Sequence, residues 1–157
     1  MLGYTSLEFT DNFSQYIERL AKTYKKDVVE IVKDLTNYYD GYRFSENSDR
    51  MFNPYSVMRC LDAQKFESYW FASGTPEFLL HIIKNKPYDL GEIESPVLDA
   101  MHLDKIDVER ISLTALLFQT GYLTITNFNS KTGKFTLNFP NREVRMHLWV
   151  QTKVIAD

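Results

Sequence analysis

The fold class follows from one segment, Leu116-Leu117-Phe118-Gln119-Thr120-Gly121-Tyr122-Leu123-Thr124-Ile125. The first part of this segment, together with the residues just before it, predicts a helix. Its apolar side chains are Ile111, Ala115, Leu116 and Phe118. Gly121 ends this helix, because glycine accepts the left-handed conformation common at helix C-termini. Leu123 and Ile125 then alternate with Tyr122, Thr124 and Thr126, which is the period of a β-strand. The segment therefore predicts a helix that passes directly into a strand.

A second strand is predicted after the turn-rich stretch 127–134. Phe135, Leu137 and Phe139 alternate with polar residues, so the two strands form a hairpin with one apolar face. Pro140-Asn141 ends the hairpin and begins a helix that buries Val144 and Leu148. Helices beside a two-stranded ribbon resemble a winged-helix arrangement. We expect a mostly α chain with a small β-hairpin, in which the tip of the hairpin is the wing.

The N-terminal half predicts four further helices. Each start carries a capping pattern, namely Thr5 with Glu8, Asp27 with Glu30, Asn53-Pro54, and Thr75-Pro76-Glu77. The predicted ranges are 6–24, 28–39, about 54–62, and 76–84. Between the second and third, Tyr39-Asp40-Gly41-Tyr42-Arg43-Phe44 places Asp-Gly among aromatic residues and predicts a structured turn that leads into a polar loop. In this turn we expect Gly41 to supply a backbone geometry that a Cβ would oppose. The stretch 89–109 holds seven acidic residues against one lysine, which predicts an acidic connector.

Length and composition exclude several classes of protein. The chain has 157 residues and a net charge of −3, so it has room for one domain and lacks the basic excess of dedicated nucleic-acid binders. Its single cysteine, Cys60, cannot form an internal disulfide, which favours a reducing compartment. Residues 1–10 lack the basic start of a secretory signal, and no window approaches the roughly 18 apolar residues of a membrane span. We expect a cytoplasmic protein with no membrane partner.

Motifs for catalysis and for metal binding are missing. The six glycines stand singly, so no glycine-rich loop cradles phosphates. No acidic residue stands two positions before a lysine, so the strand pattern of a metal-dependent nuclease is also missing. His81, His102 and His147 are widely separated and have no ligand partner at helical spacing. Cys60 is interpreted as a small buried side chain. We assign no catalytic residue and no metal site.

The C-terminal part is locally basic. Lys131 and Lys134 fall at the predicted wing tip, and Arg142 and Arg145 follow on the next helix. Such residues can bind phosphates of nucleic acid, but lysines are also common in solvated turns. Nucleic-acid binding through a basic wing is therefore kept as the alternative function.

Five blocks of sequence, taken in order, resemble the predicted AAA-ATPase-like family of bacteria that is abundant in Bacteroides and its relatives. The blocks are Tyr38 to Phe44, Phe52 to Val57, Tyr69 to Pro76, Leu117 to Ile125, and Phe139 to Arg145. The residues taken as its structural motif are Tyr39, Asp40, Gly41, Tyr42, Arg43, Phe44, Asn53, Pro54, Gly74, Thr75, Pro76 and Gly121. The resemblance covers the region after the ATPase core, so it implies a helical lid-like region over 1–88, the connector over 89–110 and a winged-helix-like module over 111–157. It also implies an excised or truncated chain.

In that family a P-loop ATPase core precedes this region, and a nuclease-like domain of the PD-(D/E)XK type often follows it. The resemblance therefore implies ATP and magnesium as cofactors of a full-length protein, and these two domains as partners. This chain alone has neither motif and should not hydrolyse ATP. The expected function is a non-catalytic one, coupling nucleotide state to a partner or an adjacent domain. Arg43 is the candidate for a phosphate contact in the full-length protein, with a local salt bridge as its alternative role.

Overall fold

A computed structural model of the chain describes residues 3–43, 45–71, 96–99 and 113–156, with the backbone alone for 151–156. Phe44, Gly74, Thr75, Pro76, His81 and His102 lie outside the described residues, as do the predicted helix 76–84 and most of the acidic connector. The described elements are α1 (Ser6–Tyr24), α2 (Val28–Tyr39), α3 (Pro54–Ala63), β1 (Val97–Asp99), α4 (Leu113–Gln119), β2 (Thr124–Asn129), β3 (Lys134–Asn138) and α5 (Arg142–Ala156). The fold is mostly helical with a small antiparallel sheet.

The predicted starts of α1, α2 and α3 are confirmed, and each is capped by a side chain. Thr5 and Glu8 form a complete capping box at α1. Asp27 accepts a hydrogen bond from the Glu30 N–H at 2.7 Å, and Asn53 caps α3 in the same way. Such caps satisfy N–H groups that have no partner within the helix. Local sequence therefore determines where these three helices begin.

The sheet has three strands in the order β1-β3-β2, with both pairs antiparallel. The predicted hairpin is confirmed as β2 and β3. The prediction of a sheet of only two strands was incomplete, because a third strand pairs with β3. Residues 97–99, which the sequence assigned to the acidic connector, pair with Lys134–Thr136 of β3. Three residues, of which only Leu98 packs against the core, carry too little pattern to predict a strand. Their pairing covers the open edge of β3.

A first group of buried side chains, called the helical core here, forms between α1, α2 and α3. Its members are Phe9, Ile17, Leu20, Ala21, Ile31, Leu35, Tyr39, Phe52, Val57, Cys60, Leu61 and Tyr69. Phe9 and Phe52 pack ring against ring with centroids 4.5 Å apart. The buried residues of α1 and α2 recur at helical spacing, which places them on one face of each helix.

A second group, the sheet core, lies between the sheet, α4 and α5. Its members are Tyr42, Leu113, Leu117, Tyr122, Leu123, Ile125, Phe135, Leu137, Val144 and Leu148. The predicted burial of Val144 and Leu148 is confirmed. The predicted face of α4 was wrong in part, because Leu117 is fully buried whereas Leu116 and Phe118 are half-buried. Leu117 shares its face with Leu113 one turn earlier, and that face meets the sheet.

None of the described helices is both long enough and apolar enough to cross a membrane.

Candidate functional site at the junction of the two cores

The chain passes between the two cores twice within short segments. Tyr39 belongs to the helical core, and Tyr42, three residues later, belongs to the sheet core. Tyr69 and Trp70 repeat the passage, because Tyr69 lies in the helical core and the Trp70 ring packs against the sheet core. We call these two segments, 39–43 and 69–70, the junction. Residues that the sequence placed in the lid-like region 1–88 therefore contribute to the core of the C-terminal module.

Thr124 joins the first junction segment to the sheet. Its hydroxyl accepts a hydrogen bond from the Arg43 N–H at 2.6 Å and donates one to the Arg43 carbonyl oxygen at 2.8 Å. The Ile125 N–H also donates to that carbonyl at 3.3 Å. Thr124 was predicted to face outward by strand alternation, and it is instead buried. The outer side of β2 is covered here by main chain that is 81 residues away in sequence.

Two glycines allow close approach at the junction. Gly41 has φ +111°, and a Cβ on it would overlap the Pro140 carbonyl group, 2.9 Å from the carbonyl carbon. Gly121 has φ +81°, and a Cβ there would lie 3.2 Å from the Trp70 ring. Both conformations favour glycine. The prediction that Gly41 supplies a geometry opposed by a Cβ is confirmed.

Glu143 joins the second junction segment to α5. It is fully buried, and its Oε1 accepts hydrogen bonds from the N–H groups of Tyr69 at 2.6 Å and Trp70 at 2.9 Å. Burial raises the pKa of Glu143, and the hydrogen bonds from the Trp70 and Tyr69 N–H groups partly offset the rise. The Glu143 carboxylate thus bonds both residues of the second junction segment to the start of α5.

Neither Glu143 nor Thr124 was predicted from the sequence as a site residue. Glu143 follows the helix cap Asn141 and precedes the core residue Val144, and an acidic residue in the first turn is the usual response to the helix dipole. The neighbouring residues in the sequence do not distinguish a solvated Glu143 from a buried one. The signal available was its place inside the Phe139 to Arg145 block.

The Arg43 side chain contacts the loop that follows it. Its Nε donates to the Ser45 carbonyl oxygen at 3.2 Å, and Nη2 donates to the Glu46 carbonyl oxygen. The guanidinium therefore donates to main-chain carbonyls in this structure. The two roles expected from the sequence were a phosphate contact and a salt bridge with a carboxylate. The bonds hold the beginning of the polar loop against the junction.

The tip of the hairpin carries Lys131 and Lys134, both exposed. Asn129 orders the turn, because its Oδ1 accepts from the Lys131 N–H at 3.0 Å. Lys134 stands directly opposite Asp99 of β1 in the register of the sheet. Opposite charges at facing strand positions attract each other, so the third strand places an acidic residue beside the predicted wing lysine.

Arg142 and Arg145 lie away from the hairpin tip, at the start of α5, and line a surface cavity of 430 Å³. Arg50, from the loop before α3, joins them in its lining, while Lys131 and Lys134 do not. The Arg142 guanidinium also lies over the Tyr38 ring, 5.0 Å from its centroid. The four basic residues grouped by sequence are therefore divided between two surfaces.

The other potentially reactive side chains among the described residues, Cys60 and His147, are packed against neighbouring side chains. Cys60 is buried in the helical core, and burial raises its pKa to about 12, so it stays a thiol at neutral pH. The His147 ring stacks on Phe71 with centroids 3.5 Å apart, and burial lowers its pKa. Among the described residues, His, Cys, Asp and Glu side chains form no group of three that could hold a metal ion.

No protein-family model matches this chain, and no solved structure matches it. The chain is similar to an uncharacterized protein in the vnfD 5′ region of Azotobacter chroococcum mcd 1, with 29% identity over 117 residues. The aligned residues are 73% of this chain and 22% of that protein. The chain thus spans about a fifth of the length of the curated relative it matches.

Proposed function

We propose that this chain is the non-catalytic lid and winged-helix region of an AAA-type ATPase, and that it couples the nucleotide state to a partner or an adjacent domain. The observation that carries the proposal is the junction. The sequence blocks that resemble the family contribute Gly41, Arg43, Trp70, Thr124 and Glu143, which meet there. A region that relays a state needs two packed bodies held by a small set of specific bonds.

The junction has the physical character of such a relay. Hydrogen bonds join the two cores at Thr124 and Glu143. Small displacements there must either preserve these bonds or break them, because buried polar groups are costly to leave unpaired. The helical core would receive the nucleotide-dependent movement, and the sheet core would pass it to the partner.

The C-terminal elements support the winged-helix part of the proposal. Helix α4 leads into the β2-β3 hairpin, α5 follows, and β1 adds a third strand to the sheet. The hairpin would contact protein through its exposed surface, with Lys131 and Lys134 keeping the tip soluble. ATP and magnesium would be held by an ATPase core outside this chain, and a nuclease-like domain of the PD-(D/E)XK type would be a further partner.

The alternative function, DNA binding through a basic wing, has less support. Asp99 faces Lys134 across the sheet, and Arg142 and Arg145 line a separate cavity. The net charge of −3 also opposes the approach of a polyanion.

The test uses a full-length protein that contains this region, and it measures steady-state ATP turnover. Thr124→Val removes both hydroxyl hydrogen bonds to Arg43 while keeping the side-chain shape. Thr126→Val is the matched control, because the Thr126 hydroxyl donates to the Thr136 carbonyl oxygen at 3.0 Å, within the sheet, and not to a residue of the junction.

We expect Thr124→Val to change turnover at least threefold and Thr126→Val to leave it unchanged, with similar small losses of melting temperature. The isolated chain should show no ATP hydrolysis. Equal turnover in both variants and the parent protein would refute the coupling role, and hydrolysis by the isolated chain would refute the non-catalytic one.

A further inference from the structure

Main-chain hydrogen bonds extend the sheet beyond β2 and across the junction. The Ile125 N–H of β2 donates to the Arg43 carbonyl oxygen at 3.3 Å. Tyr42 and Met51 form an antiparallel bridge, in which the Tyr42 N–H donates to the Met51 carbonyl oxygen at 3.2 Å and the Met51 N–H donates to the Tyr42 carbonyl oxygen at 2.9 Å. The segment 42–43 is therefore hydrogen-bonded both to β2 and to residue 51.

The pairing continues from residue 51 to residues 3 and 4. The Phe52 N–H donates to the Tyr4 carbonyl oxygen at 2.8 Å, across a second antiparallel bridge. Gly3 lies directly against the same segment, because a Cβ on Gly3 would stand 2.7 Å from the Met51 Cβ and 3.0 Å from the Phe52 carbonyl oxygen. We call the segments 3–4, 51–52 and 42–43, together with β2, the ladder.

The ladder crosses from one core to the other. Phe52 belongs to the helical core and Tyr4 packs against it, whereas Tyr42 and Ile125 belong to the sheet core. The bonds of the ladder are directional, and buried main-chain groups are costly to leave unpaired. A displacement of one segment must therefore move the next segment or break the hydrogen bonds between them.

We propose that the ladder is the route by which a displacement of segment 3–4 reaches the β2-β3 hairpin. The route rests on the coupling function proposed above and deepens it, because it names the contacts that carry a movement between the two cores. The Thr124 hydroxyl reinforces the route at the junction, since it bonds both main-chain groups of Arg43. From β2 the displacement passes to β3 through pairs such as Ile125 with Leu137.

A double-mutant cycle on this chain, measured by urea denaturation, tests the route. Gly3→Ala displaces segment 51–52, because the added Cβ meets it at less than van der Waals distance. Thr124→Val removes the two hydroxyl bonds to Arg43. The change that the double variant makes in the unfolding equilibrium constant should differ at least threefold from the product of the two single changes, since contacts in one network are not additive. A smaller departure would overturn the proposal.

Thr120→Val is the matched control for this cycle. The Thr120 hydroxyl donates to the Leu116 carbonyl oxygen at 2.7 Å, at the end of α4 and outside the ladder. Combined with Gly3→Ala, this variant should depart from the product of the single changes by less than threefold. A departure of threefold or more would mean that Gly3→Ala acts on the whole fold, and it would overturn the ladder as a specific route.

Native-state hydrogen exchange of the parent chain tests the ladder without any substitution. Exchange at low urea concentrations reports the opening reaction of each amide. The Phe52, Met51, Tyr42 and Ile125 amides should have protection factors within threefold of one another and the same dependence on urea, because the ladder opens as one unit. Two groups of amides, with Phe52 opening independently of Ile125, would contradict the proposal.

Neither measurement contains nucleotide, so failure of the route and failure of the coupling function are distinguishable. Multiplicative effects in the cycle, together with changed ATP turnover of the Thr124→Val full-length protein, would refute the ladder as the route and retain the coupling function. Non-multiplicative effects with unchanged turnover would refute the coupling function and retain the ladder as a mechanical link between the two cores.

Discussion

Gly41 packs directly against the Pro140 carbonyl group, at a φ of +111° that side-chain-bearing residues rarely adopt. This contact brings the turn after α2 onto the chain that enters α5. It places a residue of the first 50 positions against the C-terminal elements.

Gly41→Val should destabilise the protein by at least ~2 kcal/mol, because it adds backbone strain and a clash with main-chain atoms that cannot rotate away. Gly133→Ala is the control, since Gly133 has φ +66° but no heavy atom within 4 Å of an added Cβ. It should cost only about 1 kcal/mol from the left-handed backbone. Urea denaturation measures both. A Gly41→Val midpoint equal to that of the parent protein would contradict the role of Gly41 at the junction.

Glu143→Ala should destabilise the protein by about 3 kcal/mol, since it leaves the buried N–H groups of Tyr69 and Trp70 without an acceptor. Glu143→Gln should be tolerated, because the amide oxygen can accept the same hydrogen bonds. Thermal unfolding at pH 7 compares them. Equal losses in the two variants would argue against a hydrogen-bonding role for Oε1.

Stability should fall with rising pH in the range where Glu143 ionises. Its folded-state pKa is raised by burial above the unfolded value of about 4.3. The stabilisation is therefore fully present below that unfolded value and is lost as pH rises through the folded pKa. Glu143→Gln removes this contribution, so its unfolding free energy should decline less from pH 4 upward than that of the parent protein. Burial also raises the pKa of Asp40. Part of the decline in unfolding free energy should therefore remain in both the parent protein and the variant. Identical pH profiles would rule out ionisation of Glu143 as a cause.

Arg43→Ala in a full-length protein should lower stability by about 1 kcal/mol and leave ATP turnover unchanged, because the guanidinium bonds the Ser45 and Glu46 carbonyl oxygens. Arg43→Lys should recover only part of the loss, since an ammonium cannot reproduce the forked geometry. Unchanged stability with lost turnover would instead assign Arg43 to a phosphate of the nucleotide.

Lys131 and Lys134 should contribute little to binding of duplex DNA. A gel-shift assay at low salt should show only weak association. Lys131→Glu with Lys134→Glu should lower the melting temperature only slightly, because both side chains are exposed and Lys134→Glu places a carboxylate opposite Asp99. If they did bind DNA, each phosphate contact would release about 0.9 of a counter-ion and make binding steeply salt-dependent. A submicromolar shift that the double variant abolishes would establish the nucleic-acid function.

The sequence by itself determined the local structure of this protein. Helix starts at Thr5, Asp27 and Asn53 were predicted because a cap depends on residues three positions apart. The positive φ of Gly41 was predicted from an Asp-Gly turn, and the β2-β3 hairpin from an alternation with period two. These features rest on interactions within one turn or one strand, so a local pattern is sufficient to reveal them.

Tertiary structure alone decided which polar residues are buried and which charges lie together. Thr124 and Glu143 look like ordinary surface residues in the sequence, and they are buried because main chain 81 and 74 residues away covers them. Arg50 joins Arg142 and Arg145 only because the turn at Gly41 folds the loop before α3 toward α5. Strand β1 pairs with β3 through backbone hydrogen bonds, for which three residues of sequence provide no specific signal. Long-range contacts of this kind depend on how the elements pack, and no local pattern encodes that packing.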